Sequence, residues 1–182
     1  MHCVIFLDMK YAIFSDSHDH YYNVTKALEL VRDQKITRGI HLGDFCAPPV
    51  FDILAAEKSI HWTLVWGNVD GARAQTILRF REATNLDFTH DSFRELELEN
   101  KKKIFLTHFP LLAQNAAKSG DYQAVFFGDN HLKSVETLAN GTLLANPGEL
   151  SGTRTGQPTF GIWDSESNEF EIVPLTDFKV AK

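Results

Sequence analysis

The chain has 182 residues, enough for one compact domain with a real core and too few for two comfortable ones. Acidic residues outnumber basic ones by 24 to 18, a net charge of −6, which disfavours a nucleic-acid binder held by a basic face. Hydrophobic residues at 43%, with 14 Phe and 3 Trp, exclude a disordered chain.

The opening MHCVIFLD carries only a five-residue apolar run, CVIFL. That is too short for a secretory core, it has no basic flank, and it ends in an acid rather than a small-residue cleavage site. No apolar run reaches the roughly 20 residues that span a bilayer, so no membrane association is expected. Cys3 and Cys46 stand far apart, which offers neither a disulfide framework nor a cysteine zinc site and fits a reducing, cytoplasmic compartment.

From residue 10 the first half alternates short apolar runs with amphipathic segments, the rhythm of a parallel sheet covered by helices. KYAIFS (10–15) predicts a buried strand, and residues 21–34, with Val24, Leu28 and Val31 at helical spacing, predict a helix. TRGIHL (37–42) is a second strand, PVFDILAAEK (49–58) a helix opened by prolines, and IHWTLVW (60–66) a third strand. In the second half FRELELE, NKKKIFLT, YQAVFFG, SVETLAN, GTLLAN, TFGIWD and EFEIVPL are short strand candidates separated by turn residues, with one helix at about 110–119. The lysines at 101–103 suit a hairpin turn with a solvated edge. These elements predict one α/β domain of two sheets with helices outside.

Polar clusters follow the buried strands, where an open α/β sheet collects its ligands: Asp16, Ser17 and His18; Gly43 and Asp44; Gly67, Asn68, Val69 and Asp70; Thr107 and His108; Gly128, Asp129, Asn130 and His131. In Asp16-x-His18 and Asp129-x-His131 the two side chains would point to one side of an extended segment, each pair able to grip an ion. The glycines before Asp44, Asn68 and Asp129 would let the backbone turn sharply and aim the next side chain. Carboxylates, imidazoles and a carboxamide suit Mn²⁺, Fe, Ni²⁺ or Zn²⁺. Six or seven such ligands exceed one tetrahedral ion and match two ions about 3.5 Å apart.

SDSH (15–18), HLGD (41–44), GNVD (67–70), THF (107–109), GDNH (128–131) and NPGE (146–149), in that order, resemble the motifs of the calcineurin-like metallophosphoesterase superfamily, in particular its small stand-alone bacterial and archaeal phosphodiesterases. The resemblance runs from about residue 10 to 175. It implies a four-layer α/β/β/α sandwich with two divalent metal ions at the sheet ends. Asp16, His18 and His131 would hold one ion, Asn68, His108 and Asp129 the other, and Asp44 would bridge them. It also suggests that the family's chain opens at a methionine like Met9, leaving residues 1–8 as an extension or a misplaced start and 9–182 as the domain.

Two positions depart from the family. Asp129 stands where a histidine is usual, which hardens the second site and puts Mn²⁺ first among the candidate ions. Val69 stands where larger members carry a histidine that serves the leaving group. Asp70 could hydrogen-bond a ligand histidine, His20 is the most economical substitute proton donor, and Arg154 is a candidate phosphate contact, because a guanidinium matches phosphate oxygens bidentately.

The expected activity is therefore phosphodiester hydrolysis by a hydroxide bridging two divalent ions, with the pKa of the bound water lowered toward about 7. Asp16, His18, Asp44, Asn68 and His108 would act through the metal centre, and Asn68, His108 and Arg154 would bind phosphate. The partner would be a small phosphoester. No stable nucleic-acid binding is expected, and a homo-oligomer is compatible with the resemblance. Specificity is expected in loops 45–49, 71–76 and 113–122. The alternative is an interaction scaffold on the same fold with a weakened site, to which Phe109, Leu111 and Leu112 could contribute, although packing of the 110–119 helix onto the sheet is the first reading for them.

Overall fold

The computed structural model describes residues 10–89 and 91–175; the expected extension at 1–8, Met9 and Cys3 lie outside them. In chain order the elements are β1 Lys10–Phe14, α1 Tyr21–Asp33, β2 Arg38–His41, α2 Pro49–Ala56, β3 His61–Leu64, α3 Arg73–Phe80, β4 Leu86–Phe88, β5 Phe93–Glu97, β6 Lys103–Thr107, α4 Pro110–Ser119, β7 Ala124–Phe126, β8 Ser134–Thr137, β9 Leu143–Asn146, β10 Thr159–Asp164 and β11 Phe170–Pro174.

One sheet has the order β11-β10-β1-β2-β3-β4 and the other β5-β6-β7-β9-β8. Strands β1 to β4 run parallel, as do β6, β7 and β9, while β10, β11, β5 and β8 are antiparallel additions at the flanks. The parallel strands put their C-terminal ends, and therefore the loops that follow them, at one pole.

Strand alternation divides the core into three layers. On β1, Ala12 and Phe14 pack with Val24, Leu28 and Val31 of α1 and Leu54 of α2. Tyr11 and Ile13 face the other way, into the space between the sheets, and meet Ile104 and Leu106 of β6 and Trp163 of β10. Phe105, on the opposite face of β6, packs against Ala113 and Ala117 of α4. The arrangement is the expected four-layer α/β/β/α sandwich, with both sheets buried on two faces, which is why their central strands are almost continuously apolar.

The differences from the sequence reading are local. Helix α3 and strand β4 were not expected. The segment RAQTILRF buries only Thr76 and Phe80, and it starts from Ala72 in a left-handed conformation (φ 51°) with no side-chain cap, so neither an apolar stripe nor a capping residue announces it. As a result residues 73–76 are the first turn of a helix rather than part of a specificity loop, and 113–119 belong to α4. That helix seats itself through small residues, Ala113 and Ala117, leaving Leu111 and Leu112 exposed rather than packed on the sheet.

Candidate metal centre

The loops after β1, β2, β3, β6 and β7 bring the predicted ligands to one place. His18 Nε2 lies 3.7 Å from both Asp16 Oδ1 and Asp44 Oδ2, and His131 Nε2 lies 3.4 Å from Asp16 Oδ1. His108 Nε2 is 3.0 Å from Asn68 Oδ1, 3.3 Å from Asp44 Oδ1 and 3.6 Å from Asp129 Oδ1. Asp16, Asp44, His108 and His131 are buried, whereas the Asp129 side chain is 38% exposed.

The backbone is bent to achieve this. Asp16, His18, Asp44, Asp129 and His131 all have positive φ, between 40° and 70°, a region that Asp and His tolerate better than most residues but that costs energy and concentrates at functional sites. The segments are therefore not extended, contrary to the same-side argument. Asp16 and His18 still converge, but Asp129 and His131 part company, Asp129 going to His108 and His131 to Asp16.

Of the three glycines expected to turn the chain, only Gly43 (φ 100°) does so by a left-handed conformation. Gly67 and Gly128 serve by close approach, since a Cβ on Gly67 would come within 2.0 Å of Asp44 Oδ1, and one on Gly128 within 2.0 Å of Ser15 Oγ and 2.8 Å of Asp16 Oδ2.

The imidazoles are held from behind. His108 Nδ1 is 2.8 Å from the Leu42 carbonyl and His131 Nδ1 is 2.8 Å from Glu149 Oε2, so both Nδ1 atoms carry the proton and both Nε2 atoms present a lone pair. His18 Nδ1 is 3.3 Å from Cys46 Sγ. In their neutral forms His108 and His131 thus set Nε2 lone pairs against carboxylate and carboxamide oxygens, acceptors toward acceptors. Asp16 Oδ1 and His18 Nε2 are moreover buried without a hydrogen-bond partner among the described residues. A cation among these atoms resolves both anomalies, so the residues fit the metal that the motifs imply. Two ligand groups are spaced for it, Asp16 with His18 and His131, and Asp16 with Asp44 and His108, one donor atom from each lying within 4.8 Å of the others. Asp16 belongs to both groups, so two carboxylates, not Asp44 alone, lie between the halves of the centre.

The charges respond to this crowding. The Asp16 carboxylate, against the opposing effect of burial, raises the His18 pKa. Burial works to lower that of His108, but Asp44 and Asp16 outweigh it and the pKa is raised. Burial would lift Asp44, yet His108 and the Val69 N–H hold it below the ordinary carboxylate value. These are the shifts of a site built to hold positive charge.

Glu149, quoted in a motif but given no role by the sequence, accepts from His131, Ser151 Oγ and the backbone N–H groups of Arg154 and Thr155; burial opposes its charge, but these donors hold its pKa down at about 2. Asp70 does not touch a ligand histidine as anticipated. Its carboxylate accepts from the backbone N–H groups of Asp44, Phe45, Cys46 and Gly67 at 2.7–3.0 Å, stitching together the loops that carry Asp44 and Asn68. His41 is fully buried between Ser17 Oγ (3.0 Å) and the Gly43 N–H and stacks on Phe45; burial pushes its pKa well down, so it is a neutral brace. His20 caps α1, its Nδ1 accepting from the Asn23 N–H at 3.4 Å. Val69 stands exposed at the mouth, its N–H donating to Asp44 Oδ1. Arg154 is exposed and its guanidinium pairs with no described carboxylate.

The family model of the calcineurin-like phosphoesterase superfamily domain matches residues 9–168. The chain belongs to this superfamily. A phosphodiesterase of Methanocaldococcus jannaschii is 35% identical over 170 residues, covering 92% of this chain and 99% of its own. Among solved structures, an archaeal phosphodiesterase superposes with a TM-score of 0.83 at 33% identity over 92% of this chain and all of its own. A zinc complex of Vps29 from Entamoeba histolytica shares the fold, with a TM-score of 0.64 at 16% identity over 95% of this chain and 96% of that one. Within the described residues no helix is long and apolar enough to cross a membrane.

Proposed function

We propose that the chain is a dinuclear metal-dependent phosphodiesterase acting on a small phosphoester, with Asp16, His18 and His131 holding one divalent ion, Asn68, His108 and Asp129 the other, and Asp44 together with Asp16 between them. The observation that carries this reading is the convergence of the Nε2 atoms of His18, His108 and His131 on carboxylate and carboxamide oxygens, each Nδ1 being engaged elsewhere. The fold and the archaeal phosphodiesterase relative support it. When bound, two such ions supply the positive charge that phosphate oxygens need and acidify a water nucleophile.

The protein's own part is to preorganise. Glu149 and the Leu42 carbonyl fix the tautomers of His131 and His108, and Asp70 fixes the two loops that meet at Asp44. A carboxylate at 129 favours Mn²⁺ over the softer Ni²⁺ and Zn²⁺. Arg154 is the free cation on the Glu149 loop that would meet a phosphate oxygen, and His20 the imidazole on the loop after His18 that would protonate the leaving oxygen. The free Cys46 thiol fits a reducing, cytoplasmic compartment.

Hydrolysis of bis-p-nitrophenyl phosphate, measured after chelation and readdition of Mn²⁺, Fe²⁺, Ni²⁺ or Zn²⁺, tests the proposal. Metal-dependent turnover is expected, fastest with Mn²⁺; wild type no better than Asp44→Ala would sink it. The exposure of Leu111 and Leu112 favours one second reading, an interaction scaffold on the same fold. Metal analysis separates the two, because a scaffold need not retain two stoichiometric ions.

A further inference from the structure

Nine large apolar or aromatic side chains are exposed among the described residues, and six of them stand directly behind proposed ligands. Tyr21 and Tyr22 open α1 after His18, Val69 follows Asn68, Leu111 and Leu112 lie in the first turn of α4 after His108, and Leu132 follows His131. The other three, Leu78, Phe93 and Val135, are scattered over α3, β5 and β8. Single exposed apolar residues are ordinary, but their concentration in the short segments that follow four proposed ligands is not. Val69 is fixed at the mouth by its N–H to Asp44 Oδ1. Leu132 and His131 line a cavity of about 360 Å³ that Lys133, Thr155, Gln157 and Thr159 complete.

Cations are scarce in the same loops. Residues 19–22, 45–49, 69–72, 109–112 and 129–132 contain neither Lys nor Arg. The cations just beyond are largely committed: the Arg73 guanidinium donates to the Gly67 and Asp70 carbonyls, and Lys133 Nζ donates to Gln157 Oε1. These loops give an ester arm apolar surface rather than charge, and burial of an apolar arm against it is favourable.

We infer that the centre selects phosphodiesters carrying at least one apolar, preferably aromatic, ester arm, which packs on the rim formed by Tyr22, Val69, Leu111, Leu112 and Leu132. This rests on the phosphodiesterase reading and names the substrate class for it.

The test holds the leaving group constant. Phenyl p-nitrophenyl phosphate and methyl p-nitrophenyl phosphate both release p-nitrophenolate and differ only in the retained arm. Wild type should favour the phenyl diester by about tenfold in kcat/KM, carried mainly by KM. The double variant Leu111→Ser/Leu112→Ser and the single variant Leu132→Ser, all at exposed side chains, should reduce that ratio while metal content and the rate on the methyl diester stay unchanged. A binding arm uses no turnover: calorimetry on the Mn²⁺-loaded protein should find the monomethyl ester of phenylphosphonate tighter than that of methylphosphonate, both singly charged like a diester, in wild type and the advantage diminished in the variants.

Equal rates and equal affinities for the two arms in wild type, or a preference untouched by all the rim substitutions, would overturn the inference. So would a rim substitution that changes only the oligomeric mass, which would make the surface a protein contact. If neither diester turns over yet the phenylphosphonate ester still binds tighter, the phosphodiesterase reading fails while the apolar rim stands.

Discussion

The two halves of the centre are made differently. Behind His131 stands a carboxylate: Glu149 grips its ring, Ser151 and two backbone N–H groups grip Glu149, and the Ser15 hydroxyl and the Asp129 N–H hold Asp16 Oδ2. Behind His108 stands the Leu42 carbonyl, and the carboxylate at 129 is partly open to solvent. A carboxylate behind an imidazole orients it and raises its basicity, whereas a carbonyl mainly fixes the tautomer. The first half should therefore bind its ion more tightly, and the second should be the exchangeable one.

Asp44→Ala is the blunt test, since this carboxylate reaches His18 on one side and His108 on the other. Both halves should suffer together. Metal-stimulated hydrolysis should fall by more than about a hundredfold, beyond what the loss of an outer partner costs, and metal analysis should return fewer than two ions per chain. Retention of two tightly held ions would mean that Asp16 alone joins the halves.

Glu149→Gln separates them. Affinity for one ion should drop by about 10–100-fold while the other is nearly unaffected, so a titration of the apo-protein should lose its tighter phase. The same carboxyl makes a pH prediction for the metal-free protein. Its folded pKa of about 2 lies below the unfolded value of 4.5, so its stabilisation is fully present above about pH 4.5 and is lost as pH falls toward 2. Wild type should lose roughly 2–3 kcal/mol across that window, and acid denaturation of Glu149→Gln should be flatter there.

Much of this difference was not legible in the sequence. The fold was, because buried parallel strands such as KYAIF and KIFLT are apolar runs and α1 carries a clear stripe. The ligands were too, since turn-compatible Asp and His residues cluster behind those strands. What supports them was hidden, because it depends on distant contacts: Glu149 lies 18 residues from His131, and Asp70 serves main-chain donors some 25 residues earlier, a partnership with no sequence period. The positive φ at Asp16, His18, Asp44, Asp129 and His131 likewise defeats an argument from strand alternation, because tertiary contacts impose it. Helix α3 escaped because it has one short buried face and no cap.

Asp70→Asn attacks the stitch between the loops of Asp44 and Asn68. The carboxylate is buried, and burial raises its pKa despite four backbone donors. Asparagine has one accepting oxygen and sets an NH₂ group against N–H donors, so the cost should be about 2 kcal/mol, read as a lower denaturation midpoint. The second half should loosen with it, while the His131–Glu149 pair is untouched. A variant of unchanged stability would show that the loops are held by their own packing.

The finest test is Asp129→His. The backbone at 129 has φ 70°, and His18 and His131 occupy the same left-handed region in this chain, so the change should fit at a stability cost within about 0.5 kcal/mol for a partly exposed site. An imidazole in place of a carboxylate removes one negative charge and one hard oxygen from the second half only. The ratio of Mn²⁺-supported to Zn²⁺-supported hydrolysis should therefore fall severalfold, and the weaker binding phase should shift in favour of Zn²⁺, while the tighter phase stays put. If the ratio does not move, Asp129 is not a ligand despite its approach to His108, and Asn68, His108 and the shared carboxylates hold the second ion without it. Movement in the tighter phase instead would break the comparison itself, because Asp129 touches the first half only through its backbone N–H to Asp16, which the substitution preserves.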